Sequence, residues 1–307
     1  MRDSHFHLNC LPRTQLPALI DQALARGCGG GLVAGIWNGD TQNLMEWARQ
    51  PGAISPALRF LEANRPEALF ENNGTFRVLL AHGLHPAWLA RHCEREDGVP
   101  SEAKLEAAIV QFAELLNLHR KHIAALGEIG FDAHPHTLAD AAGFGLSKPE
   151  LLSLQVRAFE AVVTLAMRER LPVIVHSRGA WGLTLDRVLR VRAETGVGVM
   201  IHCYSGPAQD VHKLTDSGIF LSFGGVPTWR NARRVREAFL ACPDEYLLVE
   251  TDAPDLPLEF EDGTRPAHHE PAHLADVVAR LATLRGVECE ALAARSDANL
   301  LRYLSGK

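Results

Sequence analysis

Eight short apolar runs, each followed by enough chain for a helix, constrain this sequence more than any other feature. The runs are Met1–His7, Gly31–Trp37, Phe76–Gly83, His122–Glu128, Pro172–His176, Gly198–His202, Ile219–Phe223 and Tyr246–Thr251. Parallel neighbours need long crossovers, commonly helical, and the intervening segments are long enough to supply them. Eight such β-α units in 307 residues predict one (β/α)8 barrel domain over residues 1–307, of the α/β class. The stretch Leu58–Asn73 does not fit a clean unit and reads as an insertion holding a short helix, around residues 58–73.

One helix can be read in detail. Leu152, Val156, Phe159, Val163 and Met167 recur at three- and four-residue steps, which predicts a helix from about Pro149 to Arg170 packed through that stripe. Ser147-Lys148-Pro149-Glu150 reads as its capping box, and Pro172 stops it. Asp132–Leu146, rich in glycine and alanine, reads as a long loop.

Composition narrows the setting. Hydrophobic residues make up 47% of the chain and charged residues 22%, the balance of a water-soluble globular protein. No apolar run approaches the length of a membrane span, so no membrane association is expected. A candidate site beginning at residue 5 leaves no room for a signal peptide before it and implies an ordered N-terminus. Cys10, Cys28, Cys93, Cys203, Cys242 and Cys289 form no Cys-x-x-Cys pair, which argues against zinc ribbons and fits free thiols in the cytoplasm. The formal net charge of −6 argues against charge-driven coating of duplex DNA.

Ligand-type side chains collect at the ends of the runs. His5 and His7, two apart on a strand, share a face and could grip one cation. Glu128, His176 and His202 end the fourth, fifth and sixth runs, and Asp252 follows the eighth. A barrel gathers the carboxyl ends of its strands at one rim, where sites in this fold are built. Four imidazoles and two carboxylates exceed what one tetrahedral ion requires and suit two divalent ions sharing a bridge.

These motifs carry a resemblance. Asp3-Ser4-His5-Phe6-His7, Gly83-Leu84-His85-Pro86, Gly127-Glu128-Ile129-Gly130-Phe131-Asp132, Pro172–Arg178, His202–Gly206 and Glu250–Pro254 together resemble the TatD-family metal-dependent hydrolases, within the wider amidohydrolase-like TIM barrels. The resemblance implies one ion on His5, His7, Glu128 and Asp252 and a second on Glu128, His176 and His202. Glu128 would bridge them, where related barrels use a carboxylated lysine. Asp252 would also orient the attacking hydroxide and take up its proton. It implies a hydrolase acting on ester bonds, a deoxyribonuclease trimming DNA from a 3′ end, with a DNA end or short oligonucleotide as substrate. The same chemistry would serve small phosphoesters, esters, amides or a D-aminoacyl-tRNA ester, and a non-catalytic binding barrel is the remaining alternative. Imidazole-rich shells favour Zn²⁺ or Mn²⁺, whereas the family is often Mg²⁺-dependent. No obligate protein partner is evident.

Three residues are candidates for substrate contact. His85 could touch substrate or cap the turn before Pro86; Arg178 could pair with a phosphate or form a salt bridge; Ser205 opens a turn whose free N–H groups could take an anion or serve as a cap. Trp229–Arg236 could guide a single strand, though a solvated helix face is the simpler reading. Asp255, Glu259, Glu261 and Asp262 would repel a long polyanion. The sequence departs from the commoner pattern at Ala133-His134-Pro135-His136 and at His268-His269-Glu270-Pro271, closer to a YjjV-like branch. His134, His136, His268 and His269 read as exposed loop histidines.

Overall fold

Strand parity organises the molecule, a computed structural model that describes residues 1–94 and 101–306. Among the described residues nine parallel strands form one sheet: β1 Asp3–Phe6, β2 Gly30–Ala34, β3 Leu58–Phe60, β4 Phe76–His82, β5 Ile123–Asp132, β6 Val173–Arg178, β7 Val199–Ile201, β8 Ile219–Phe223 and β9 Leu247–Val249. Eight run in the order β1-β2-β4-β5-β6-β7-β8-β9 and make a nearly closed barrel. Just beyond β9, the Asp252 amide donates to the His5 carbonyl (3.0 Å) and the His7 amide to the Ala253 carbonyl (2.8 Å), joining the last strand to the first.

The helices are α1 Leu16–Ala25, α2 Asn38–Arg49, α3 Pro86–His92, α4 Ser101–His119, α5 Pro135–Gly143, α6 Lys148–Glu169, α7 Trp181–Thr195, α8 Val211–Asp216, α9 Arg233–Ala241, α10 Leu274–Arg285 and α11 Cys289–Leu304. None of the described helices is long and apolar enough to cross a membrane.

Side chains alternate across each strand. Val173, Val175, Val199, Ile201, Ile219 and Leu221 pack outward under the helices. Ile174, Met200, Phe220 and Leu248 point inward and meet Leu300 and Tyr303 of α11. Tyr303 stacks edge-on against Phe220 at 5.8 Å, so α11 stoppers the amino-terminal end of the barrel with apolar side chains. Chemistry is left the other end.

Four expectations change. The fourth predicted run continues past Glu128 to Asp132. The 132–146 stretch holds helix α5, started by His134, whose ring accepts the His136 amide. The 58–73 stretch contains its expected short helix at Pro66–Phe70, and also β3, which pairs with Phe76–Val78 on the edge of β4 that β5 takes up from Leu80 onward. The capping box of α6 forms as read, with the Ser147 amide donating to Glu150 (2.8 Å), and Phe159 and Val163 are buried as expected, but the rest of the buried face runs through Leu151, Leu154, Ala158, Val162 and Ala166. Met167, expected on the packed stripe, is 49% exposed.

Candidate metal centre

Parity carries two imidazoles to the open end. In β6 the inward series Ile174 continues to His176; from β7 the inward series Met200 continues to His202. Glu128 needs a different device. Leu126 pairs with Val173 and Ile129 with Val175, so β5 uses three residues where β6 uses two. The extra residue is a bulge, which flips the alternation and turns Glu128 inward. Gly127 (φ 148°) and Gly130 (φ 142°) flank the carboxylate in backbone regions that other residues rarely adopt. At Gly130 a Cβ would fall 2.1 Å from the His176 carbonyl oxygen. A second bulge in β1, between Asp3↔Gly31 and Phe6↔Val33, brings in the segment carrying His5 and His7.

Glu128 is the hub, 1% exposed, with its two oxygens dividing five imidazoles. Oε1 faces His5 Nε2 (3.1 Å) and His7 Nε2 (3.0 Å). Oε2 faces His202 Nε2 (2.7 Å), His176 Nδ1 (3.2 Å) and His85 Nε2 (3.4 Å). Asp252 Oδ1 closes the first group, 3.5 Å from His5 Nε2 and 3.6 Å from His7 Nε2.

The neighbours fix which nitrogen carries each proton. His7 Nδ1–H donates to the Ala34 carbonyl (3.0 Å), so Nε2 is the nitrogen turned toward the cluster. His176 Nε2–H donates to Asp132 Oδ2 (3.2 Å), leaving Nδ1 inward. His85 is reversed: its Nδ1 accepts the Ala87 amide (3.2 Å), so Nε2 carries hydrogen and points into the site. His85 therefore both caps α3 and faces the cluster.

Asp252 sits at φ 61°, a left-handed position that aspartate tolerates better than most residues. Its predecessor is clamped. Asp3 accepts the Thr251 amide (3.0 Å), the Thr251 hydroxyl (2.6 Å) and the His5 amide (3.1 Å), and His269 Nε2–H donates to the Thr251 carbonyl (2.9 Å). Asp3 thus ties the first histidine to the aspartate loop nearly 250 residues away.

Burial opposes charge here, and close pairing overrides it for most groups. Burial alone would raise Glu128, but His202, His5 and His85 hold it well below the usual carboxylate range. Asp252 is likewise held down, to about 2, by His7, His202 and His5 against burial. Against the same burial, His202 is pushed up to about 9 by Glu128, and His7 rises through Asp252 and Glu128. His5 is pushed down to about 4 by burial and by the adjacent His202, on which it stacks at 4.2 Å.

This donor set fits divalent cations. His5, His7 and Glu128 offer ligand atoms within 4.8 Å of one another, as do His5, His202 and Asp252, and His85, Glu128 and His176. His176 Nδ1 and His202 Nε2 lie 3.1 Å apart on the same carboxylate oxygen. A cation among them would take the place of the protons that these imidazoles otherwise share with Glu128 and Asp252.

All six expected ligands come together, joined by His85. Arg178 is exposed, with His134 Nε2 (3.4 Å) as its contact, and Ser205 is an exposed hydroxyl donating to the Ser177 carbonyl (3.5 Å). Neither touches the cluster. His136 and His268 are exposed as expected, and His134 is half-buried at the start of α5. His269 departs from expectation: it is 3% exposed and supports Thr251. The basic stretch follows the simpler reading in part. Arg233 pairs with Glu237 on an exposed face and Phe239 is buried, but Arg236 turns back to the Pro227 carbonyl (3.0 Å).

Sequence reasoning missed Asp132, Asp3 and Glu250 as supporting groups. Glu250 Oε1 accepts the Cys203 amide (2.6 Å), and burial pushes its carboxyl up to about 7. Inward parity from Leu248 through Glu250 to Asp252 was the available signal.

A family model described as TatD related DNase matches residues 2–305. The 3'-5' ssDNA/RNA exonuclease TatD of Citrobacter koseri is 31% identical over 223 residues, covering 72% of this chain and 79% of that protein. The uncharacterized metal-dependent hydrolase YcfH of Escherichia coli K12 is 34% identical over 181 residues, 59% of this chain and 62% of the relative. Among solved structures, the TatD homolog YjjV of Escherichia coli K12 superposes with a TM-score of 0.69 at 24% identity, covering 99% of this chain and 97% of that one. A TatD family hydrolase from Entamoeba histolytica gives 0.73 at 14% identity over 99% and 97%. At these identities the two structures establish the barrel alone.

Proposed function

The chain belongs to the TatD-related DNase family of metal-dependent hydrolases, and from that premise we propose that it trims single-stranded nucleic acid from a 3′ end. The observation that carries this reading is the divided carboxylate of Glu128, with two imidazoles on one oxygen and three on the other. We assign one divalent ion to His5, His7, Glu128 and Asp252, and a second to Glu128, His176 and His202. Zn²⁺ and Mn²⁺ match so many imidazoles better than Mg²⁺.

Bound there, the ions would supply Lewis acidity and an activated water for attack at phosphorus. The protein's own groups do the rest. Asp252, kept ionised by the imidazoles around it against burial, would take the proton of the attacking water. His85 presents Nε2–H to a non-bridging phosphate oxygen. Asp132 and the Ala34 carbonyl keep His176 and His7 in the tautomers that ligation requires. Arg178, exposed beyond His176, meets a phosphate further along the strand. Asp255 is exposed near Asp252 and Glu128, and the added negative charge there favours a strand end over a long polyanion. Six free cysteines fit a reducing cytoplasm.

A 3′- and 5′-labelled single-stranded oligonucleotide, incubated with Mn²⁺, Zn²⁺ or Mg²⁺, tests the reading. Stepwise loss from the 3′ end is expected. Absence of cleavage with every ion, alongside turnover of a small carboxylic ester, would replace it with an esterase.

A further inference from the structure

The loops that leave β2 and β4 carry an aromatic array that the chemistry does not use. Trp37 lies three residues beyond Ala34, whose carbonyl holds His7. Trp88 lies three residues beyond His85, whose Nε2 faces Glu128. Three residues span at most about 11 Å of chain, so Trp37 and Trp88 both branch from the backbone within about that distance of these two site contacts. The loops are tied together there: the His85 amide donates to the Ile36 carbonyl (2.9 Å), and the Trp88 amide to the His85 carbonyl (3.0 Å).

His92 links the two indoles. Its ring stacks on Trp37 at 4.1 Å with an interplanar angle of 7°, and lies 5.9 Å from Trp88 at 19°. Three ring planes are therefore nearly parallel. Trp88 is 38% exposed, unusual for so large an apolar side chain, and the Arg91 guanidinium lies 5.5 Å from its ring centre. The backbone of Trp37 is itself fixed, its amide donating to Asp40 Oδ2 (3.0 Å) at the start of α2.

Parallel π faces with a cation alongside match one kind of occupant well. An unpaired base has a flat face to stack and a phosphate for the guanidinium; a paired base in a duplex has its faces covered. We propose that Trp88, backed by His92 and Trp37, is a stacking subsite for a base of the single strand whose 3′ end occupies the metal centre. The proposal rests on the nuclease reading above and names where that substrate is held. Stacking tolerates any base, so the subsite confers strandedness and not sequence preference.

Fluorescence anisotropy on the metal-loaded full chain tests it, with two labelled probes: a cleavage-resistant phosphorothioate decamer of deoxythymidine and an abasic strand of the same length. W88A should lose roughly 5- to 150-fold in affinity for the thymidine strand. It should change little toward the abasic strand, and W88F should recover most of the loss. Unchanged circular dichroism and metal content would verify that W88A is folded. Equal thymidine affinity in wild type and W88A, with wild type still trimming single strands, overturns the subsite and leaves the nuclease reading standing. Wild type that neither binds nor trims any single strand overturns both. A W88A loss equal on both probes, unrescued by W88F, also overturns stacking.

Discussion

Asp132 Oδ2 lies 3.2 Å from His176 Nε2, on the side of the imidazole away from Glu128. The carboxylate fixes the ring's tautomer and rotation, and its own charge is secure: it is held at about 2 by His176 and the His134 amide against burial. Asp132→Ala should weaken ion binding by roughly 10- to 100-fold, the usual cost of losing such a support. Competition against a chromogenic chelator measures it, and wild-type affinity in the variant would remove Asp132 from the site's design.

Glu128 faces every imidazole in the cluster, so its loss should affect both of the proposed ions. Glu128→Ala is expected to lower kcat/KM by about 10³-fold or more, several kcal/mol of transition-state stabilisation. Chelation of the wild-type protein should abolish activity and re-addition of Mn²⁺ or Zn²⁺ restore it. Elemental analysis should find close to two ions in wild type and fewer than one in the variant. Full activity after exhaustive chelation is the contrary result.

His82 provides a pH test away from the metal centre. It ends β4 facing outward, with Nδ1 accepting the Thr41 hydroxyl (2.7 Å), Nε2–H donating to the Phe112 carbonyl (3.1 Å) and its ring stacked on Phe112 at 3.8 Å. Burial pushes it down to about 3. The unfolded chain therefore binds the proton first. The stabilisation is complete above the ordinary histidine value near 6.5 and is lost as pH falls from there toward 3. The loss is about 1.4 kcal/mol per pH unit, or about 2 kcal/mol between pH 6.5 and 5. Urea unfolding of wild type and His82→Gln at pH 7 and pH 5 should give a smaller pH difference in the variant. Identical pH dependence would contradict the assignment.

Gly130 tests the bulged strand. Its φ of 142° and the 2.1 Å approach of a would-be Cβ to the His176 carbonyl leave no space for a methyl group. Gly130→Ala should cost about 1–3 kcal/mol of stability, read from the denaturant midpoint, and displace His176 enough to weaken ion binding. A variant as stable as wild type would mean that the strand can yield there.

His176 and His202 were legible because they obey the same alternation as the core. Val173-Ile174-Val175-His176 and Val199-Met200-Ile201-His202 place each imidazole on the inward side by counting in twos. Glu128 was legible as a ligand type but not by counting, because the bulge that turns it inward is a long-range matter of register with β6. Asp132 and His269 act through other side chains or backbone groups, and no local spacing announces such partners. Helix α5 was hidden by glycine and alanine, with His134 as an unusual cap. Strand β3 is three residues long, too short for any period to show.

Tyr303 and Leu300, wedged against Phe220 and Leu248, have a consequence for how a polymer is handled. A tunnel would let a chain slide through and leave by a back door. Among the described residues this barrel has a filled cellar, so whatever descends to the metal-ligand cluster must withdraw up the stairs it came down. Under the nuclease proposal, each round of cutting would then call for a retreat and a fresh approach, and a closed ring of nucleotides would have no tip to lower in.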